Sequence, residues 1–311
     1  MVNESALEKE QFVVECLTEE HSSHFYPMLT TAKEILKDAR EKHYAVPGFN
    51  CVADVMIRGI LDRAERLHSP VFLMLYTAEV DDKTWWYYPT LVRAVADRYP
   101  IPIVMHLDHA VELDPIRAAL DNGFTSVMYD GSSLPFDQNV EMTRKTVELA
   151  QPYGASVEAE LGLVGGFGLE AKNCVSNVLT QPEEVVTFIE RTGVDSLAVS
   201  IGTAHGTYQQ LPKLDIPLLK ELNAASTVPL VLHGGSGTPE DQIRAAVENG
   251  ICKLNVYTDS RVAMWKRFKK IAAETQRSEP IPHDYISQLQ EALGDVVEEN
   301  AILAGSVGRA K

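Results

Sequence analysis

The sequence predicts an α/β fold, a (β/α)8 TIM barrel, and three observations predict it. Eight short, β-rich apolar runs recur along the 311 residues. Stretches of helical periodicity fill the gaps between them. Polar side chains gather at the C-terminal ends of the runs, where barrels of this kind place their functional groups. Run count alone leaves a doubly wound open sheet as the alternative.

The runs are "YAVPGFN" (44–50), "PVFLMLYT" (70–77), "IPIVMHLDH" (101–109), "SVMYDGS" (126–132), "SVEAELG" (156–162), "SLAVSIGT" (196–203), "PLVLHGGS" (229–236) and "CKLNVYT" (252–258). Several are apolar on both faces, as parallel strands covered on both sides must be. Between them, "ADVMIRGILDRAERL" places Val55, Ile57, Ile60, Leu61, Ala64 and Leu67 at near-helical spacing. "TLVRAVADRY", "PIRAALDNG" and "PEDQIRAAVENG" behave similarly, and the last two stop at Asn-Gly. "DYISQLQEALGDVVEENAILAG" predicts a long C-terminal helix with a glycine stop. Residues 1–28 fall outside the alternation and form an N-terminal extension, either a short helix or disordered. Residues 29–311 form one barrel domain.

Composition narrows the function. A formal charge of −16 argues against nucleic acid as the main partner, but not against a small phosphorylated substrate at a local site. None of the four cysteines forms a CxxC pair, so reduced thiols of a cytoplasmic protein are expected. The acidic N-terminus lacks a secretory core. No apolar run approaches the roughly 20 residues of a membrane span. No membrane partner is expected.

The polar strand ends carry the chemistry. The third run ends in Asp108 and His109, and the fifth carries Glu158 and Glu160. The sixth leads to His205, the seventh to His233, and the eighth to Asn255 and Thr258. A lone histidine is more often a hydrogen-bonded structural residue, and His21, His24, His43, His68 and His283 are read that way. Three histidines at three strand ends point instead to a metal, because zinc takes nitrogen ligands and three protein ligands leave a position for substrate. His106 shares a strand face with Asp108 by the two-residue period and is read as support. The glycine-rich "HGGSGTPED" and the "NVYTDS" segment follow runs seven and eight, a frequent phosphate site in barrels. Asp108 either exchanges a proton with substrate or orients a histidine ligand. Lys253, inside run eight, is read as structural or outward-facing.

From about residue 29 to 310 the chain resembles the class II, zinc-dependent ketose-bisphosphate aldolases, most nearly their tagatose- and fructose-bisphosphate branch. "YAVPGFN", "HLDHA", "VEAELGLVGG", "SLAVSIGTAHGTY", "LVLHGGSGTP", "KLNVYTD" and "GSVGRA" carry the resemblance, in that order. It implies one Zn2+ per subunit on His109, His205 and His233, with Glu160 near the metal as an alternative ligand. It implies Asp108 as acid and base at the C4 oxygen of the ketose. Gly206, Gly234, Gly235, Ser236, Asn255, Val256, Tyr257 and Thr258 would hold the dihydroxyacetone phosphate half, with Asn50 near the substrate. A monovalent cation (Na+ or K+) and a homodimer or homotetramer are further implications.

The sequence departs from the family pattern after "VGG". An acidic pair is expected there, yet the chain reads "FGLEAKN", with Gly168 in place of the expected glutamate. Glu170, two residues late, is the remaining candidate for that proton transfer. Gln209 stands where some fructose-bisphosphate members have lysine, and Tyr129 and Tyr257 differ at strand ends. These departures leave three readings open: an aldolase of a ketose bisphosphate, a related metal enzyme on another sugar phosphate (a different aldehyde half, or epimerisation), and a catalytically silent sugar-phosphate binder.

Overall fold

The structure is a computed structural model describing residues 28–166, 177–206 and 211–310. Eight parallel strands close in sequence order: β1 (Val46–Asn50), β2 (Val71–Tyr76), β3 (Ile103–Ala110), β4 (Ser126–Tyr129), β5 (Ser156–Leu161), β6 (Ser196–Val199), β7 (Leu230–Leu232) and β8 (Ile251–Val256). Each coincides with an apolar run, β3 and β8 reaching one residue beyond it, and β1 pairs with both β2 and β8. That closure excludes the open sheet. Every strand residue is buried, because the outer face meets helices and the inner face meets the opposite wall.

Helices α1 (Ala32–Lys42), α2 (Asp54–Arg66), α3 (Thr84–Ala96), α4 (Leu113–Asp121), α5 (Phe136–Ala150), α6 (Pro182–Thr192), α7 (Ile216–Ala225), α8 (Glu240–Glu248), α9 (Thr258–Glu274) and α10 (Pro282–Ala304), with short 3-10 turns at Thr77–Glu79 and Gln151–Tyr153, complete the described elements. The first of these plugs the N-terminal end of the barrel. A capping box between Thr31 and Glu34 starts it. Its buried Ala32, Ile35, Leu36 and Ala39 pack on Phe72, Met74 and Val104 of the barrel interior. Just before it, Ile103 N–H donates to Met28 O, and Thr30 N–H donates to Ile103 O at 2.9 Å. Residues 28–30 thus tie to the start of β3; the rest of the expected extension lies outside the described residues. The C-terminal ends of the strands are left free for chemistry.

The long C-terminal helix forms as expected and stops at Gly305 in a left-handed conformation. It packs on α2 with one buried cation between them. Arg63 bonds Glu291 at 2.8 Å, Asp295 at 3.3 Å and Glu298, and its guanidinium lies against Gly294. Arg63→Ala is expected to destabilise the fold by about 1–3 kcal/mol, because it removes buried packing and the charge opposing three carboxylates. Two of those carboxylates are more than half exposed, so solvent screens much of their share. Urea unfolding of both proteins checks this, and an unchanged midpoint refutes the clamp. Among the described residues, no helix is long and apolar enough to cross a membrane.

Candidate active site

The cleft sits at the C-terminal ends of the strands. Asn50, Asp108, His109, His205, Gly206, Gly234, Ser236, Asn255, Tyr257 and Thr258 line it, as the sequence reading places them. His233 and Glu160 lie just beneath, fully buried or nearly so. The side chain of Val256 packs instead in the core layer outside the barrel, so that residue offers the cleft only its backbone. Asn255 faces inward, and its neighbour in a strand must face the other way. Gly235 also stays off the lining, with Leu254 and the Asn255 carbonyl packed against its Cα. Glu170 and Gln209 fall outside the described residues. Behind Tyr257 lies a larger hollow of about 400 Å³, walled by Met56, Met264, Trp265 and Phe268; its apolar lining does not suit the polyol chemistry of the cleft.

Asp108 and His109 are adjacent, yet both face the cleft. A regular strand forbids this, since neighbours point to opposite sides. The register between β3 and β4 shifts between Leu107 and Ala110, and His109 takes a left-handed backbone, φ +53°. This departure from strand geometry turns His109 onto the face that Asp108 and His106 already share. A histidine at positive φ is uncommon and stores strain, a feature that concentrates at functional sites. Thr77 Oγ1–H donates to the His109 carbonyl at 2.8 Å, and Asp130 N–H donates to that of Ala110 at 2.7 Å, which pins the turn.

Glycines set the other two histidines. Gly166 runs flush against His205, and a Cβ there would meet His205 backbone at 2.5–2.6 Å. His205 N–H in turn donates to Gly165 O at 2.8 Å. Asn177 ties the same two loops, accepting from Gly165 N–H at 2.6 Å and donating to Thr203 O at 2.8 Å. Gly234, which follows His233, has φ +66° and leaves no room for a Cβ beside the Ala204 carbonyl.

The three histidine rings converge. Their centroids lie 4.7 Å (His109 to His233), 5.1 Å (His109 to His205) and 5.9 Å (His205 to His233) apart. Each offers a nitrogen, and the three nitrogens lie within 4.8 Å of one another. Carboxylates orient two of the rings. Asp130 Oδ2 is 3.1 Å from His109 Nδ1, which leaves Nε2 for the centre. Glu158 Oε1 is 3.0 Å from His233 Nε2, which leaves Nδ1. Such outer carboxylates usually fix the tautomer of a metal-bound imidazole. The sequence reading assigned no role to Asp130, although its place directly after β4 is the strand-end signal that marked the others.

Two buried atoms show that a cation fits here. Glu160 Oε2 lies 3.0 Å from His233 Nδ1, but out of alignment, so neither has a hydrogen-bond partner. Buried polar atoms are rarely left so. Asp108, Asp130 and Glu160 add acid groups around the imidazoles, and His109, Asp130 and Glu160 form a second group with metal-ligand spacing. A divalent ion among these atoms would satisfy both orphans and offset the excess carboxylate.

Asp108 is held in one pose. Asn50 Nδ2 donates to its Oδ2 at 2.8 Å, and Asn255 Nδ2 donates to its Oδ1 at 3.3 Å. Burial alone would raise its pKa, but the positive charges of His109 and Lys253 outweigh burial and lower it. His233 is moved the other way. Burial would lower its pKa, yet Glu158 and Glu160 hold it up at about 10.

Lys253 does not face outward, which corrects half of the sequence reading; it points into the barrel and is fully buried. It shares the face of Asn255, two residues on, and that parity was readable. Its Nζ donates to Glu158 Oε2 at 2.7 Å and to His106 Nε2 at 3.4 Å. The His106 ring, with Nδ1 2.8 Å from Ser126 Oγ, is kept neutral: burial and the Lys253 ammonium push its pKa down to about 3. His106 therefore supports the site from below, as expected.

Comparison with known proteins agrees with this geometry. A model of the family "Fructose-bisphosphate aldolase class-II" matches residues 30–309. A fructose-bisphosphate aldolase of Giardia intestinalis is 36% identical over 308 residues, covering 91% of this chain and 94% of that protein. The crystal structure of the YdjI aldolase from Escherichia coli K12 superposes with a TM-score of 0.81 at 32% identity, covering 91% of this chain and all of that one. A fructose-bisphosphate aldolase structure from Campylobacter jejuni, 22% identical, matches in fold, with a TM-score of 0.76 over 90% of this chain and 96% of that one. A match over nearly the whole barrel places the chain in the class II fructose-bisphosphate aldolase family, as a carbon–carbon lyase of carbohydrate metabolism.

Proposed function

We propose that the protein reversibly cleaves a phosphorylated ketose, a ketose 1,6-bisphosphate such as tagatose or fructose bisphosphate, to dihydroxyacetone phosphate and an aldehyde, and that it does so with zinc. The convergence of three imidazole nitrogens beside a fixed carboxylate carries this reading. His109, His205 and His233 hold the ion, and Glu160 is a further donor within reach. Imidazole donors suit zinc. Bound there, the ion would supply Lewis-acid polarisation of the substrate carbonyl.

The chain's own residues supply the rest. Asp108, ionised and clamped by two amides, accepts the proton of the C4 hydroxyl as the C3–C4 bond breaks, and returns it in the synthetic direction. Asn50 and Asn255 hold that carboxylate against rotation. The backbone around Gly206, Gly234 and Gly235, with Ser236, Tyr257 and Thr258, cradles the dihydroxyacetone phosphate half near the N-terminus of α9. Ser236 Oγ accepts from the N–H groups of Tyr257 and Asp259, both at 3.2 Å, and so shapes that terminus. A monovalent cation (Na+ or K+) beside the phosphate, a cytoplasmic location and a homodimer or homotetramer belong to the same reading. Glu170 is the proposed proton carrier at C3.

The test is a coupled assay for dihydroxyacetone phosphate over a panel of ketose phosphates. Release should stop after chelation and return on adding zinc. Cleavage indifferent to chelator overturns the metal reading. Interconversion of sugar phosphates without triose phosphate would favour epimerisation instead.

A further inference from the structure

The cleavage proposed above uses no amine, yet a lysine sits at the heart of the barrel. Lys253, Glu158 and His233 are each 0% exposed. They form an unbroken line: Lys253 Nζ to Glu158 Oε2 at 2.7 Å, then Glu158 Oε1 to His233 Nε2 at 3.0 Å. An electrophile cannot reach a fully enclosed amine that is absent from the cleft lining, so a Schiff base is not its role.

The His233 ring lies between two carboxylates. Glu158 holds Nε2, and Glu160 Oε2 waits 3.0 Å from Nδ1 without alignment. Only the first arrangement leaves Nδ1 free for a metal. If Glu158 loosens, the ring can turn to give an N–H to Glu160, and the ligand nitrogen is lost.

We propose that Lys253 is a positioning residue for the metal centre: its ammonium, bonded to Glu158 Oε2, locks the carboxylate that aims His233 Nδ1 at His109 and His205. The second bond, to His106 Nε2, keeps the ammonium itself in place. A buried charge pair with both members hydrogen-bonded is a rigid device, because neither partner has water to turn to. The inference rests on the reading of the three histidines as metal ligands.

Cobalt(II) added to metal-free protein tests it, with affinity from chelator competition and ligand geometry from the d–d spectrum. His205→Ala should abolish tight binding; cobalt bound as in the wild type would overturn the ligand reading itself, and this inference with it. Given that loss, Glu158→Gln and Lys253→Met should each weaken cobalt by about 10–100-fold, the usual effect of removing an outer partner, and should shift the d–d bands. The double variant K253M/E158Q should match E158Q within about threefold, since Lys253 reaches His233 through Glu158. If circular dichroism shows K253M unfolded, the comparison of E158Q with the double variant decides. Wild-type affinity and spectrum in E158Q, or in folded K253M, overturn the proposal. So does a double variant clearly weaker than E158Q.

Discussion

Asp108→Ala is expected to lower kcat by about 10²–10⁴-fold, the range for losing a positioned acid or base, while metal content stays near that of the wild type. The two bonds from Asn50 and Asn255 are made by the carboxylate itself. Its loss frees two buried amides but leaves the histidine rings in place. The effect should therefore fall on kcat with a smaller change in KM, as for an interaction made mainly in the transition state. Cleavage kinetics, with bound metal measured on the same samples, check this. A kcat within threefold of the wild type would remove Asp108 from the chemistry and leave it only the role of orienting its neighbours.

The second large effect is on metal uptake and carries a pH dependence of known sign. Metal-free protein holds His233 at a pKa of about 10, against 6.5 for an ordinary histidine. A group raised in the folded state stabilises it fully below its unfolded pKa, and loses that contribution as pH rises through the folded value. Metal-free protein should therefore lose stability between pH 6.5 and about 10. A metal ligand must be deprotonated, so binding at neutral pH expels at least one proton, that of His233. Affinity should rise about tenfold per pH unit below 10 from His233 alone, and more steeply where His109, whose pKa is also raised, is still protonated; the metal-induced gain in Tm should widen over the same interval. Calorimetry in buffers of different ionisation enthalpy counts the proton. Uptake without proton release at pH 7 contradicts the assignment. His205→Ala should cost more than about 100-fold in affinity at every pH, since even outer partners cost 10–100-fold.

Much of this was legible in the sequence, for physical reasons. Parallel strands covered on both sides must be apolar throughout, so a polar group at a strand end stands out; Asp108, His109, His205 and His233 were found that way. What is less legible depends on direction. Strand parity turns the Val256 side chain to the core, so among its cleft-lining neighbours it offers only backbone. Uniform burial hides which face of the strand carries Lys253 unless a placed neighbour such as Asn255 sets the parity. Asp130 carries the same strand-end signal, but its partner, the His109 ring, is evident only in the structure. The shared face of Asp108 and His109 could not be read from any periodicity, since it depends on breaking one.

That break makes the three ligand positions unequal for redesign. Only His109 among them has a left-handed backbone. At His205 and His233 a different donor, cysteine or aspartate, is constrained by chemistry and space. At His109 the newcomer must also accept a conformation that asparagine, aspartate and histidine tolerate best and branched residues resist. Attempts to retune the centre for another metal therefore have two exchangeable corners and one that the chain itself has reserved.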